Sequence, residues 1–240
     1  LPPFLHEGIN ELQIAHRVSD LFFSEGHNGI LRMETFGEEL FFGHIAIGDS
    51  GNYPSAFNGP NGLRGAHPAA PFMGSEKIRW DSGTPLLIDN GFTIAGYQTD
   101  KTQTYWRGGK ESIPEPVQSA HNFCVEMQNM VAEKLRPGAI PSQLWNQCVD
   151  LAAQSPWDDG FMGLGKNKVG FLGHGIGLAV DEYPVVAKGF DLPLEEGMTL
   201  AIEPKIGIPG TGMIGTENTF EVTPNGGQSL TGNNCGIITV

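Results

Sequence analysis

Two aspartates eleven residues apart, Asp89 and Asp100, lie within PLLIDNGFTIAGYQTDKTQTYW, a strand-like stretch from Pro85 to Trp106. If the chain reverses at Ile94-Ala95-Gly96, the two carboxylates become directly opposed on one face of a hairpin, roughly 5 Å apart at Cβ. Carboxylates that close repel unless one takes up a proton or a cation lies between them, so the pair points to a metal site. Asn90-Gly91 is by itself a stronger two-residue turn signal. It would set Asp89 against Phe92 and leave Asp100 without a partner, and the stretch alone does not choose between the turns.

The turn IPGTG, centred on Gly210, brings Glu203 and Glu217 opposite each other on a second hairpin, and His174 lies between the two pairs in the glycine-lined strand VGFLGHGIG. Four carboxylates and a neutral imidazole carry a formal charge of −4, which two divalent cations would cancel. Without cations such acids would have strongly raised pKa values or would not converge. Oxygen ligands with a single nitrogen and no thiolate suit Mn²⁺, Fe²⁺, Co²⁺ or Zn²⁺. Two such ions roughly 3.5–4 Å apart activate a water and polarise the carbonyl it attacks, which is the equipment of a hydrolase.

These residues need strands and helices to hold them. Asn10 to Phe23 carries Leu12, Ile14, Ala15, Val18, Leu21 and Phe22 near helical spacing, with Asn10 as N-cap and Gly26 as stop. Residues 30–47 read weakly as strands. The turn-rich segment from Gly48 to Gly74, which contains His67, has the length of a functional loop. Pro114 to Leu135 and Pro141 to Ala153 predict two helices, the first stopped by Pro137-Gly138. Cys124 and Cys148 fall on their apolar stripes as core filler, and His121 is a surface or packing residue rather than a ligand. GFMGLGKN, from Gly160 to Asn167, nearly matches a P-loop, but Asn167 stands where the hydroxyl belongs and a strand follows, so no nucleotide site is read. The last third alternates turns with apolar stretches and is sheet.

At 240 residues the chain is one large domain or two small ones, long enough to bury a substantial core. A net charge of −13 argues against nucleic acid or an anionic membrane as partner. No stretch approaches the roughly 18 apolar residues of a membrane span. Cys124, Cys148 and Cys235 are odd in number and widely spaced, which suits a reducing compartment and gives a cytoplasmic expectation. The opening LPPFLHEGINELQIA lacks an initiator Met and the features of a signal peptide, so the expectation is a single catalytic domain over 1–240 taken from a longer protein.

With these residues in place the chain resembles the creatinase/aminopeptidase superfamily, the pita-bread metallopeptidases that include methionine aminopeptidase, aminopeptidase P and prolidase. The resemblance rests on an Asp in LID, an Asp eleven later in Y-x-x-D-x-T, a His in GHGIG, a Glu in IEP and a Glu ahead of the last strands. It implies an α+β fold of two α/β halves related by an approximate two-fold, with a curved, mainly antiparallel sheet backed by helices. It implies Asp89, Asp100, His174, Glu203 and Glu217 as ligands of two divalent ions, with Mn²⁺ the expected metal, and it favours the turn at Ile94-Ala95-Gly96. GHGIGLAVDEYPVV and GMTLAIEPKI look closer to the Xaa-Pro branch than to methionine aminopeptidase.

Three positions depart from the family pattern. Asp181 stands seven residues after His174, where a second His is usual; Gln103 and Gly215 stand where arginines are usual. An ionised Asp181 accepts but does not donate a hydrogen bond, so it suits a substrate cation such as an α-amino group. His67 is the candidate for a second substrate histidine. The expectation is a peptidase cleaving N-terminal Xaa-Pro bonds, with Glu203 passing the proton of the attacking water to the leaving nitrogen. A non-peptide C–N hydrolase or lyase on the same scaffold, or a metal-free interaction module, are the alternatives. A homodimer stays open.

Overall fold

The computed structural model describes residues 1–35, 38–54, 57–67 and 74–240. Helix α1 (Glu11–Ser24) starts at Asn10, whose side chain accepts from the Gln13 amide while the Gln13 side chain accepts from the Asn10 amide, a reciprocal cap. It buries Ile14, Ala15 and Val18 against Ile45, Ile47, Leu86, Ile88 and Trp80. Each large aliphatic side chain buried this way contributes about 1.5–3 kcal/mol. Short strands β1 (Leu31–Arg32) and β2 (Glu39–Leu40) lead into β3 (Gly43–Ile47), which pairs with the central hairpin β4 (Pro85–Ile94) and β5 (Tyr97–Trp106). Helices α2 (Glu115–Lys134) and α3 (Pro141–Ala153) follow at the predicted places, and then β6 (Phe171–Gly175) and β7 (Glu182–Ala187). The chain ends in β8 (Thr199–Ile202), β9 (Lys205–Ile208), β10 (Gly212–Gly215), β11 (Asn218–Thr223), β12 (Gly226–Ser229) and β13 (Ile238–Thr239).

One four-stranded sheet runs β13-β5-β4-β3 and one five-stranded sheet runs β12-β11-β8-β6-β7; only the β13–β5 pairing is parallel. Each half has its own core. The first is that of α1; the second gathers Val117, Cys124 and Val131 of α2 and Leu135 at its C-cap with Leu172, Leu200, Ile202 and Val222 of the sheet. This is the expected α+β pita-bread arrangement. Cys124 and Cys148 are buried, with burial pushing both thiols up, and His121 packs inside with Nε2 2.6 Å from the Cys235 carbonyl. No helix among the described residues is long and apolar enough to cross a membrane.

The central hairpin corrects the expected register. Ile94 pairs with Tyr97, so the chain turns over Ala95-Gly96, both at positive φ (52° and 85°). A two-residue hairpin turn of this kind needs positive φ at both positions; Gly96 takes it freely, whereas a β-branched Ile94 would resist it. Asp89 therefore faces Thr102, and Asp100 faces Gly91. The two aspartates are diagonal rather than opposed, yet a shift of two residues keeps both on one face. Asn90-Gly91 is no turn: Gly91 sits within β4, where an added Cβ would come 2.5 Å from a Leu31 methyl.

In the second hairpin the expected register holds, from Ile208↔Gly212 through Lys205↔Gly215, and resumes as Ile202↔Asn218. The ladder breaks between these two runs, at Glu203-Pro204 and Thr216-Glu217. Pro204 has no N–H to give. The Glu203 amide instead donates to Leu172 O at 2.9 Å, and the Glu217 amide to Thr102 O at 3.3 Å. The break sends the two glutamates towards β6 and β5, and so joins the two sheets at the carboxylates.

Candidate metal centre

A cavity of about 150 Å³ opens where the sheets meet, and Asp89, Asp100, His174, Glu203, Glu217, His44 and Asp181 are among its lining residues. His174 is carried by β6 between two glycines that are required by close approach. An added Cβ would lie 2.2 Å from Ala201 O at Gly173 and 2.5 Å from Tyr183 O at Gly175. Its Nδ1 lies 3.1 Å from Gly175 O. A carbonyl can only accept, so Nδ1 carries the proton and Nε2 turns its lone pair into the cavity, where a cation can take it. That Nε2 is 3.7 Å from Glu203 Oε1.

Asp100, His174 and Glu217 place one ligand atom each within 4.8 Å of one another. Glu217 is asymmetric. Its Oε2 accepts from Thr102 Oγ1 at 2.7 Å and from Lys205 Nζ at 3.0 Å, while its buried Oε1 has no hydrogen-bond partner among the described residues. A buried carboxylate oxygen without a donor is costly; a cation between Glu217, Asp100 and His174 would satisfy it. The donor set of two carboxylates and one imidazole fits a divalent ion. Burial and the neighbouring Asp89 charge push Asp100 up to about 7. Burial and Asp100 push Glu217 well above the usual carboxylate range, against the pull of Lys205.

Lys205, which the charge count from sequence left out, is fully buried in this centre. Its Nζ lies 2.7 Å from Glu203 Oε2, 3.0 Å from Glu217 Oε2 and 3.1 Å from Asp89 Oδ2. Burial alone would lower its pKa, but the three carboxylates outweigh it and hold it well above the ordinary lysine value. Conversely, burial would raise Asp89, but Lys205 and His44 outweigh it and hold that carboxyl low. The sequence signal was present: Lys205 follows Glu203 by two residues, the spacing that puts strand side chains on one face. The P-loop-like segment helps to seal it, with the Met162 amide donating to Lys205 O at 2.9 Å and Gly160 packed on Gly207.

The other expected residues divide. Asp181 lies on the cavity wall, where Oδ1 accepts from the Glu34 amide at 3.0 Å. His67 is exposed and is not part of the described cavity lining. Gln103 points to the other face of β5 and donates to Gly236 O at 2.7 Å. Gly215 faces Lys205 across β9–β10. His44, missed in the sequence because a long loop separates it from Asp89, stands opposite that residue in the β3–β4 ladder.

A match to metallopeptidase family M24 runs over residues 1–224. The chain is 30% identical over 239 residues to the "Probable dipeptidase PepE" of Mycobacterium tuberculosis, covering 98% of this chain and 52% of that protein. It is 32% identical over 171 residues to the Xaa-Pro dipeptidase of Pyrococcus horikoshii, covering 71% of this chain and 45% of that protein. The chain thus spans about half the length of the curated relatives it matches. Among solved structures, dipeptidase PepE of Mycobacterium ulcerans superposes with a TM-score of 0.76 at 27% identity, covering 100% of this chain and 55% of that one. The prolidase of Pyrococcus horikoshii gives 0.74 at 25% identity, covering 97% and 56%.

Proposed function

The chain belongs to metallopeptidase family M24, and on that premise we propose that it is a metal-dependent peptidase hydrolysing the N-terminal bond of short peptides, with Xaa-Pro substrates favoured. The observation that carries this reading is the unpartnered, buried Glu217 Oε1 beside Asp100 and His174 at the end of a lined cavity. A divalent ion there, Mn²⁺ by expectation, would supply water activation and Lewis-acid polarisation. Glu203, with Oε1 towards His174 and Oε2 tied to Lys205, is the carboxylate we assign to carry a proton to the leaving nitrogen. Asp181, already anchored by the Glu34 amide, keeps an oxygen for a substrate α-ammonium. The names of relatives that act on dipeptides and Xaa-Pro bonds support the substrate class.

The test is digestion of a peptide panel, Xaa-Pro dipeptides and longer Xaa-Pro-Yaa and Met-Xaa peptides, in Mn²⁺, read by mass spectrometry. Release of the first residue from Xaa-Pro peptides, abolished by chelator and restored by metal, is expected. A non-peptide C–N hydrolase or lyase is the second reading, favoured by the buried lysine inside the acid cluster. An intact peptide panel with metal bound would select it.

A further inference from the structure

The peptidase reading leaves the most unusual group of the centre unused. Lys205 is a fully buried ammonium with three N–H donors and three carboxylate acceptors, Asp89, Glu203 and Glu217, at 2.7–3.1 Å. Its donors are all spent, and so is the room around it. Gly215, its cross-strand partner, has no side chain; a Cβ there would lie 2.8 Å from Lys205 Cγ. The stem of the lysine fills the space that a side chain at 215 would need.

The five expected ligands are therefore partitioned. Asp100, His174 and Glu217 converge on one point. Asp89 Oδ2 and Glu203 Oε2 converge, with Glu217 Oε2, on the ammonium. A second divalent ion held by Asp89 and Glu203 would sit roughly 2.0–2.2 Å from oxygens of carboxylates that Nζ already holds, so it would have to lie close to Nζ, a like charge in a low-dielectric site. Total charge does not decide the matter. Four carboxylates and one ammonium sum to −3, which becomes −1 with one divalent ion and +1 with two. Position decides it.

We infer that Lys205 takes the place of the second cation, so that this centre holds a single divalent ion, between Asp100, His174 and Glu217, beside a built-in ammonium. The inference rests on the metal-dependent reading above and replaces the two ions that the resemblance implies with one. Lys205 is then a positioning residue: it fixes Glu203 Oε2 and leaves Oε1 towards His174 and the cavity.

Metal content decides it without reference to turnover. The whole chain is stripped, reloaded with excess Mn²⁺, desalted and assayed by plasma mass spectrometry, with Mn²⁺ EPR on the same sample. About one ion per chain and an uncoupled, mononuclear spectrum are expected for the wild type. The Lys205→Ala protein, which vacates the space and the charge, should take up about two ions and show an exchange-coupled pair. Two ions in the wild type overturn the inference and leave the peptidase reading standing. One ion in both proteins overturns it as well, because Lys205 would then not be what excludes the second. No ion in the wild type, with metal-independent turnover, defeats both readings. If Lys205→Ala does not fold, Lys205→Met serves as the second variant, and the wild-type count alone still supports or overturns the single-ion site.

Discussion

His44 stands directly across the β3–β4 ladder from Asp89, buried, with its Nε2 bonded to no group among the described residues. Burial, ahead of the opposing pull of Asp89, lowers its pKa and keeps it neutral near pH 7. An unpaired buried ring nitrogen is destabilising by about 1–3 kcal/mol, and it lines the cavity. A buried polar atom left without a partner calls for an explanation, and a contact with substrate is the one tested here. His44→Leu should leave the melting temperature unchanged or raised while kcat/KM falls about tenfold or more, a loss near 1.4 kcal/mol. Equal losses of stability and activity would reduce His44 to packing.

The metal centre should give the protein opposite pH responses with and without a divalent ion. In the stripped protein Asp100 titrates near 7, against an ordinary value of 3.8, and Glu217 is also raised. Between those pH values the folded chain holds protons that the unfolded chain has released, so stability falls as pH rises from about 4 through 7. A divalent ion needs the ionised carboxylates, so its stabilisation grows over the same interval. In chelator the melting temperature should be lower at pH 8 than at pH 5, and the gain on adding Mn²⁺ should be larger at pH 8. Asp100→Asn should flatten both trends. Scanning calorimetry at the two pH values measures this.

The hairpin shows how much of the site could be read before any coordinates. Period-two alternation placed Asp89 and Asp100 on one face, and that survived a register error of two because the error was even. The error itself came from turn geometry, which depends on backbone angles at Ala95-Gly96 rather than on hydrophobic pattern. The second hairpin was legible in register, but the break at Pro204 that joins the sheets was not. Lys205 was passed over because a count of acids looks for exogenous cations, and a buried ammonium two residues from a ligand supplies one internally. His44 could not be found from spacing at all, since its relation to Asp89 exists only after a long loop closes.

That turn offers a clean stability test. Ala95 is held at φ 52° on an exposed turn, where an L side chain other than Asn or Asp is disfavoured by about 1–2 kcal/mol. Ala95→Asn, which recreates the preferred Asn-Gly turn, should raise the urea midpoint by the equivalent of about 0.5–1 kcal/mol. Metal content and kcat/KM should not move, because the turn lies at the far end of the hairpin from Asp89.

Gly215 is the counterpart in the centre. Beyond the 2.8 Å approach to Lys205 Cγ, an added Cβ would meet Pro204 O at 2.5 Å, and neither the proline backbone nor a sealed lysine stem can retreat. Overpacking of this kind costs about 1–3 kcal/mol. Gly215→Ala should lose that much stability by denaturant unfolding and also lose activity, since the push falls on the residue that holds Glu203 and Glu217.

Asp181 carries the question of what the substrate presents to the enzyme. One of its oxygens is occupied by the Glu34 amide, which fixes the carboxylate on the cavity wall beside Val180 and Glu182. A fixed carboxylate at that place favours a ligand with a cation near the scissile bond, and a free α-ammonium is the cation every unblocked peptide has. Asp181→Asn keeps the shape and the Glu34 contact but removes the charge. KM for unblocked peptides should rise about tenfold, roughly 1.4 kcal/mol, with kcat changed little, and N-acetylated peptides should be bound as well by the variant as by the wild type. If acetylated and free peptides lose equally, the carboxylate serves the wall of the cavity and not the amine.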